Sequence, residues 1–217
     1  MNRNQLKLIA CITMLIDHTK IFFTGIPKII VSDIIGRISF PIFMFLFIDG
    51  FFKTKHPWKH VLDLTIFGII SEIIYDLYFY GHLEFLDQNI LFSWSLSYLF
   101  LIVINKIKID DKSIRIASYF ILTVGFALLS KILNVDYSIC IILISMFVYL
   151  IKDKTNIIKI STIAILESLF YLTPGCLLAI PIVSLYKEEK ECKRLKYIFY
   201  IFYPSHLLIL FLIKLLL

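Results

Sequence analysis

Residues 6–26, LKLIACITMLIDHTKIFFTGI, decide how the rest of the chain is read. A run of about 20 apolar residues has the length of a helix crossing about 30 Å of hydrocarbon. Asp17, His18 and Lys20 nevertheless sit just past its middle. Each charge at that depth costs about 2.5–3.5 kcal/mol on insertion scales, so such groups point to function. On helical spacing Thr13, Asp17, Lys20 and Thr24 form one polar stripe, and Asp17 can pair with Lys20 one turn on. His18 stands about 100° round the helix, on the Cys11–Met14–Phe22 side, so Asp17 does not orient it directly. Two plainer readings compete. A secretory signal would explain Arg3 and Lys7 before an apolar core, but the core is short, ends in Asp-His and lacks a small-residue cleavage site. Alternatively the polar groups only join helices by hydrogen bonds. That reading stays open for Asp17 and Lys20. It suits His18 less, because His18 alone of the group titrates near neutral pH.

The composition extends this reading to the whole chain. Of 217 residues, 59% are hydrophobic, and the mean hydropathy is +0.88. Soluble domains are about 45–50% apolar, so the expectation is an all-α, polytopic transmembrane helix bundle. No polar stretch is long enough for a sizeable soluble domain, and 1–217 reads as a single integral membrane domain. The net charge of +6 is spread over short loops, without the aromatic-basic pattern of a nucleic-acid groove. Cys11, Cys140, Cys176 and Cys192 lack CxxC or metal-type spacing and read as packing residues. His56 and His60 flank Pro57 without the glutamate of a zinc helix and read as interfacial; no metal is expected.

Nine apolar segments can be drawn: 6–26, 34–52, 61–80, 90–105, 114–133, 137–151, 157–172, 174–186 and 197–217. Segment 174–186 begins after Pro174-Gly175, contains Pro181, and is short enough to be re-entrant or tilted. With the N-terminus in the cytoplasm, 17 of the 22 Lys and Arg fall in inner loops, and only Lys28 and Lys131 fall in outer ones. That split fits the positive-inside rule and fixes nine spans, N-in and C-out. The KEEKECKR run at 187–194 is then a solvated cytoplasmic loop. Tyr78, Tyr80, Phe85 and Tyr137 form interface belts.

Depth follows from topology. Arg37 lies near the outer face and Asp49 near the inner one. Glu72 is near mid-membrane, with Tyr75 and Asp76 a turn beyond. Ser93 and Ser97 share a helical face after Gln88-Asn89. Glu167 is in the outer half of its segment, and His206 is near the centre of the last one, just after Pro204. Burying each of these alone would be hard to sustain. Each keeps a structural alternative. Arg37 can reach headgroups or a substrate. Glu72 can pair with Arg37 or Lys20 or take part in chemistry. Asn89 can cap its helix. His206 can bond a backbone carbonyl freed by the proline.

Several blocks together resemble the TraX family, integral membrane proteins whose named member acetylates the N-terminus of conjugative pilin. The blocks are LKLIACITMLIDHTKIFF with its IDH at Ile16–His18, IGRISFPIFMFLFIDGFFKT (Ile35–Thr54) and the ISE at Ile70–Glu72. QNILFSWSL (Gln88–Leu96), the DY at Asp136–Tyr137, LLAIPIVSLY (Leu177–Tyr186) and FYIFYPSHLLIL (Phe199–Leu210) follow. The IDH, GR-x-x-FP and YP-x-HLL blocks in that order are the specific part. The chain departs from the pattern at Ser93, where threonine is usual, at Ser138, where a glycine follows the DY, and at Lys187–Lys190, where the loop is usually Asn/Gly-rich. Segments 114–133 and 137–151 match poorly.

The resemblance implies a TraX-like acyltransferase in a bacterial cytoplasmic (inner) membrane, moving acetyl from acetyl-CoA to a pilin or other peptide N-terminus, as in conjugation. Such chemistry needs a base poised near neutral pH, the role given to His18. It also needs donors for an oxyanion, for which Arg37, Asn89 and Ser93 are candidates. His206 is a second acid/base group or a positioner, and Asp17 and Glu72 tune the charge. Lys53, Lys55 and Lys59 face the phosphates of acetyl-CoA. The lipid bilayer and the acceptor are the other partners. The alternatives are a proton-coupled permease, against which no inverted repeat is seen, and a non-catalytic component of a conjugation or secretion apparatus.

Overall fold

The computed structural model describes residues 1–84, 86–187 and 196–216, with the side chains of 196–199 left aside. Phe85, Lys190, Cys192, Lys193 and Arg194, which carry expectations above, lie outside the described residues. The described chain is helical; its one β contact is an isolated parallel bridge between Gln88 and Val135.

Local sequence explains most helix boundaries. Helix α1 (Arg3–His18) starts at a capping box in which Asn2 and Gln5 bond each other's backbone N–H groups. It ends earlier than the 6–26 run suggested. A 3-10 turn covers Thr19–Phe22, the chain extends at Phe23 and Thr24, and Gly25 takes φ +61° to open the short helix α2 (Gly25–Ile29). A left-handed backbone is cheap only for glycine. Next come a π turn (Ile30–Ile35), a 3-10 turn (Gly36–Ile38) and α3 (Ser39–Lys53). Helices α4 (Pro57–Phe79) and α5 (Ile90–Asn105) follow, then α6 (Lys112–Ile132), α7 (Ser138–Leu150) and α8 (Asn156–Tyr171). Pro57 opens α4, while Asp111 and Thr155 cap α6 and α8 with their side-chain oxygens. Segment 174–186 resolves into a 3-10 turn (Pro174–Leu178) and the short α9 (Ala179–Ser184). Helix α10 (Lys196–Leu216) contains Pro204.

Two units divide the chain. The first comprises Met1–Gly50 and Ile151–Leu217, the second Phe51–Leu150. In the first, α1, α3, α8, α9 and α10 bury Leu6, Ile42, Met44, Ile163, Val183 and Leu207 to 1% exposure or less. At one end of this unit Arg3 pairs with Asp49 at 2.5 Å and donates to the Leu46 carbonyl, while the Met1 ammonium donates to the Leu185 carbonyl at 2.7 Å. In the second, α4, α5 and α7 bury Tyr78, Phe100, Leu101, Ile141 and Ile144 completely. Hydroxyl pairs join its helices: Thr65 with Ser95 at 2.8 Å and Ser97 with Ser145 at 2.6 Å.

By length and composition, two helical stretches among the described residues can cross a membrane: Gly25–Lys53, of 29 residues, and Lys112–Ile132, of 21. Shorter apolar helices cover Ile90–Asn105, Ser138–Leu150, Pro174–Ser184 and Tyr200–Leu216. Leu62, Ile66, Ile69 and Ile73 recur on one exposed face of α4, between 45% and 60% exposed. A contiguous apolar face of that kind suits lipid rather than water.

Candidate functional site

The first unit gathers four of the residues singled out in the sequence: Asp17, His18, Arg37 and His206. His18 is the last residue of α1, and His206 is at the centre of α10. His18 Nδ1 lies 2.7 Å from His206 Nε2. Their ring centroids are 4.9 Å apart and their planes differ by 18°. Stacked faces stay about 3.5 Å apart, so nitrogens at 2.7 Å mean that the rings meet edge to edge in nearly one plane. The other nitrogen of His206, Nδ1, lies 2.8 Å from the Phe202 carbonyl oxygen.

These two contacts fix the protons of the neutral pair. A carbonyl only accepts, so His206 Nδ1 carries a hydrogen and donates to Phe202. Its Nε2 is then an acceptor, and His18 Nδ1 must be the donor. The lone pair of His18 is left on Nε2. The chain Phe202 carbonyl, His206, His18 is a directed hydrogen-bond relay that makes Nε2 the proton-accepting nitrogen of neutral His18. A bond along the helix is present as expected for His206, but its acceptor is the Phe202 carbonyl four residues back rather than one freed by Pro204, and it serves the histidine pair. The Phe202 ring stacks on His206 at 4.7 Å and 10°, and Tyr203 meets it edge-on at 5.7 Å, so the imidazole is held on several sides.

Beside the relay is a set of charges. Lys20 and Asp17 pair at 3.4 Å, as their helical spacing predicted. The backbone irregularity before α3 brings Gly36 against Asp17: a Cβ at Gly36 would lie 2.4 Å from Asp17 Oδ1. Arg37, the next residue, stands over the Tyr171 ring at 5.3 Å and acts electrostatically on both Asp17 and Glu167. Glu167 and Tyr171 are one turn apart on α8 and so share a face. Gly175 is held still more tightly, since a Cβ there would lie 2.3 Å from the Asp33 carbonyl oxygen. The 3-10 turn after α8 therefore packs on the π turn backbone to backbone. Sequence reasoning did not select Glu167 as a site residue, although a carboxylate within ILESLF was the available signal.

Glu72, Asn89 and Ser93 belong to the second unit. Asn89 caps α5 by accepting from Leu91 N at 3.0 Å. Its side-chain nitrogen donates to the Gly68 carbonyl at 2.9 Å and to Glu72 Oε2, and its backbone N–H donates to the same oxygen at 3.1 Å. Every donor of Asn89 is thus engaged locally, and the described partner of Glu72 is Asn89. Ser93 donates to the Asp136 carbonyl oxygen. Asp136 itself lies in a strained loop, with Asn134, Tyr137 and Ser138 all at positive φ; Ser138 occupies the position where the family pattern has glycine. Lys53, Lys55 and Lys59 are exposed around the turn between α3 and α4. Among the described residues, no group of three or more His, Cys, Asp or Glu could hold a metal.

The family described as TraX protein matches residues 2–214 of the chain. A probable fimbrial assembly protein, FimC of serogroup H1, from Dichelobacter nodosus is 31% identical over 109 residues. That match takes in 46% of this chain and 45% of that protein, so it spans less than half the length of the relative. No solved structure matches the chain.

Proposed function

The chain belongs to the TraX family, and from that premise we propose that it is a multi-pass membrane acetyltransferase, moving acetyl from acetyl-CoA to an acceptor connected with pilus or conjugation machinery. The observation that carries the reading is the contact of His18 Nδ1 with His206 Nε2 at 2.7 Å, which makes Nε2 the proton-accepting nitrogen of neutral His18. Acetyl-CoA, the co-substrate, supplies the acetyl group as a thioester. His18 Nε2 takes the proton of the acceptor amine or hydroxyl as the new bond to the carbonyl carbon forms. It returns that proton to the departing thiol sulfur as the C–S bond breaks. His206 holds the tautomer and steadies the imidazolium formed between the two transfers, acting through His18 rather than on the substrate. Arg37 supplies positive charge for the developing oxyanion. Exposed Lys53, Lys55 and Lys59 suit the phosphates of a cytosolic donor.

The membrane reading draws on the composition, on the two long apolar helices and on the exposed apolar face of α4. Nine spans with the N-terminus in the bacterial cytoplasm give the best charge asymmetry for the inner membrane. A link to pili draws on the printed name of the Dichelobacter nodosus relative and on the family. The test is thiol release from acetyl-CoA by purified full-length protein with a peptide acceptor. Release that needs both acceptor and His18 supports the enzyme reading. Proton-coupled transport without thiol release would replace it.

A further inference from the structure

Helices α6 and α7 of the second unit leave an apolar groove between them, a cavity of about 530 Å³. Ile116, Phe120, Thr123 and Ala127 line it from α6 at a spacing of three and four residues, and Leu143 and Phe147 line it from α7. The Thr123 hydroxyl donates to the Tyr119 carbonyl at 2.7 Å, so it adds no open polar group to the wall. Ile116, Phe120 and Leu150, all lining residues, are 56% to 68% exposed. Hydrocarbon fills such a groove at less cost than water does. Its length indicates the kind of occupant. From Ile116 to Leu128 α6 rises about 18 Å, close to one leaflet, half of a hydrocarbon core of about 30 Å. That matches an acyl chain anchored in one leaflet better than a helix that spans both.

One end of the groove is charged. Lys112 and Arg115 stand one turn before Ile116 and Tyr119 and so continue the groove face past its end. Arg115 is held in place, since its Nη1 donates to the Ile109 carbonyl at 3.1 Å. Residues 106–115 carry four cations, Lys106, Lys108, Lys112 and Arg115, against Asp110 and Asp111. Asp111 is engaged as the cap of α6, and Lys106 stands over the Trp58 ring at 5.6 Å. Where the groove meets these charges, Tyr119 packs edge-on against Tyr149 at 6.1 Å, and the Tyr149 hydroxyl donates to Asn105 at 3.2 Å. Such amphipathic rings suit headgroup depth. The opposite end of α6 offers a single cation, Lys131. We infer that the groove binds an anionic phospholipid of the surrounding bilayer, its phosphate at Lys112 and Arg115 and an acyl chain between α6 and α7. The site rests on the membrane reading of the chain and is independent of acetyl transfer.

The test uses the full chain purified in detergent. Its thermal unfolding midpoint is followed against dioleoyl phosphatidylglycerol and dioleoyl phosphatidylcholine, which share their chains and differ in net charge. The phosphatidylglycerol should raise the midpoint saturably and at lower concentration, and the preference should shrink as salt screens the exposed charges. Lys112→Gln combined with Arg115→Gln should weaken the phosphatidylglycerol response by about tenfold or more, the effect of two cations at a membrane surface. Lys131→Gln should leave it unchanged. Ala127→Leu, which narrows the groove, should weaken the response to both lipids; should that variant fail to fold, the exposed charge variants decide. Equal responses to the two lipids, an undiminished response in the folded double variant, or an equal loss in Lys131→Gln would overturn the site. So would a dimer that Ala127→Leu abolishes, which would assign the groove to a second copy of the chain. Extraction of the chain from membranes by alkaline carbonate would remove the membrane reading and the site together. A chain that resists extraction but shows no lipid preference loses the site alone.

Discussion

His18 Nδ1 donates to His206 Nε2 at 2.7 Å, across 188 residues of sequence. One imidazole thereby becomes the orienting group of the other, and His206 is itself anchored by the Phe202 carbonyl at 2.8 Å. If His206 acts as positioner, His206→Ala should lower kcat by about tenfold to a hundredfold, less than the 10²–10⁴ expected of the base itself. KM for acetyl-CoA should stay near the parent value. His206→Gln should recover part of the rate, since its amide oxygen can accept from His18 Nδ1. Steady-state kinetics of the three proteins checks this, and a pure KM effect would contradict it.

Lys53, Lys55 and Lys59 test the donor side. Replacing all three by Ala should raise KM for acetyl-CoA several-fold with kcat little changed. The parent's KM should itself rise with salt, as exposed charges are screened over about 8–10 Å at 0.1–0.15 M ionic strength. A salt-independent KM equal in both proteins would place the phosphates elsewhere.

Gly175 has no room for a side chain, because a Cβ would lie 2.3 Å from one backbone carbonyl oxygen and 2.6 Å from the next. Gly175→Ala should destabilise the first unit by about 1–3 kcal/mol or more, the usual cost of overpacking. Gly125, with nothing within 4 Å of its Cβ position, is the control: Gly125→Ala should be neutral to slightly stabilising. Thermal unfolding in detergent separates the two.

Asn89 and Glu72 are coupled in the second unit. Asn89→Ala removes a helix cap, a loss of about 0.5–2 kcal/mol, and also strips Glu72 of its described side-chain donor. Glu72→Gln keeps the shape and discharges the carboxyl, so it should be the milder change. A double variant that loses less than the two single losses combined would establish the coupling.

These relationships differ in how far the sequence announced them. The Asp17–Lys20 pair and the Asn89 cap are local, set by helical spacing and by the side chain preceding an apolar run. The last helix and the 90–105 segment were legible for the same reason. The break after His18 was not, because apolar periodicity runs unbroken through Phe22 and only Gly25 and Pro27 hint that the helix stops. The π and 3-10 turns that bring Gly36 against Asp17 leave no periodicity signal either. The histidine pair depends on α1 packing on α10, a contact between distant residues that residue types alone do not specify. Glu167 was visible as a costly carboxylate, but its link to Arg37 required the fold.

Thiol release from acetyl-CoA by the purified full-length protein, compared with His18→Ala at equal abundance and equal thermal stability, tests the central claim most directly. The account predicts acceptor-dependent release by the parent and a loss of about 10²-fold or more in the variant, the contribution of a general base. Equal release by the two proteins would contradict it.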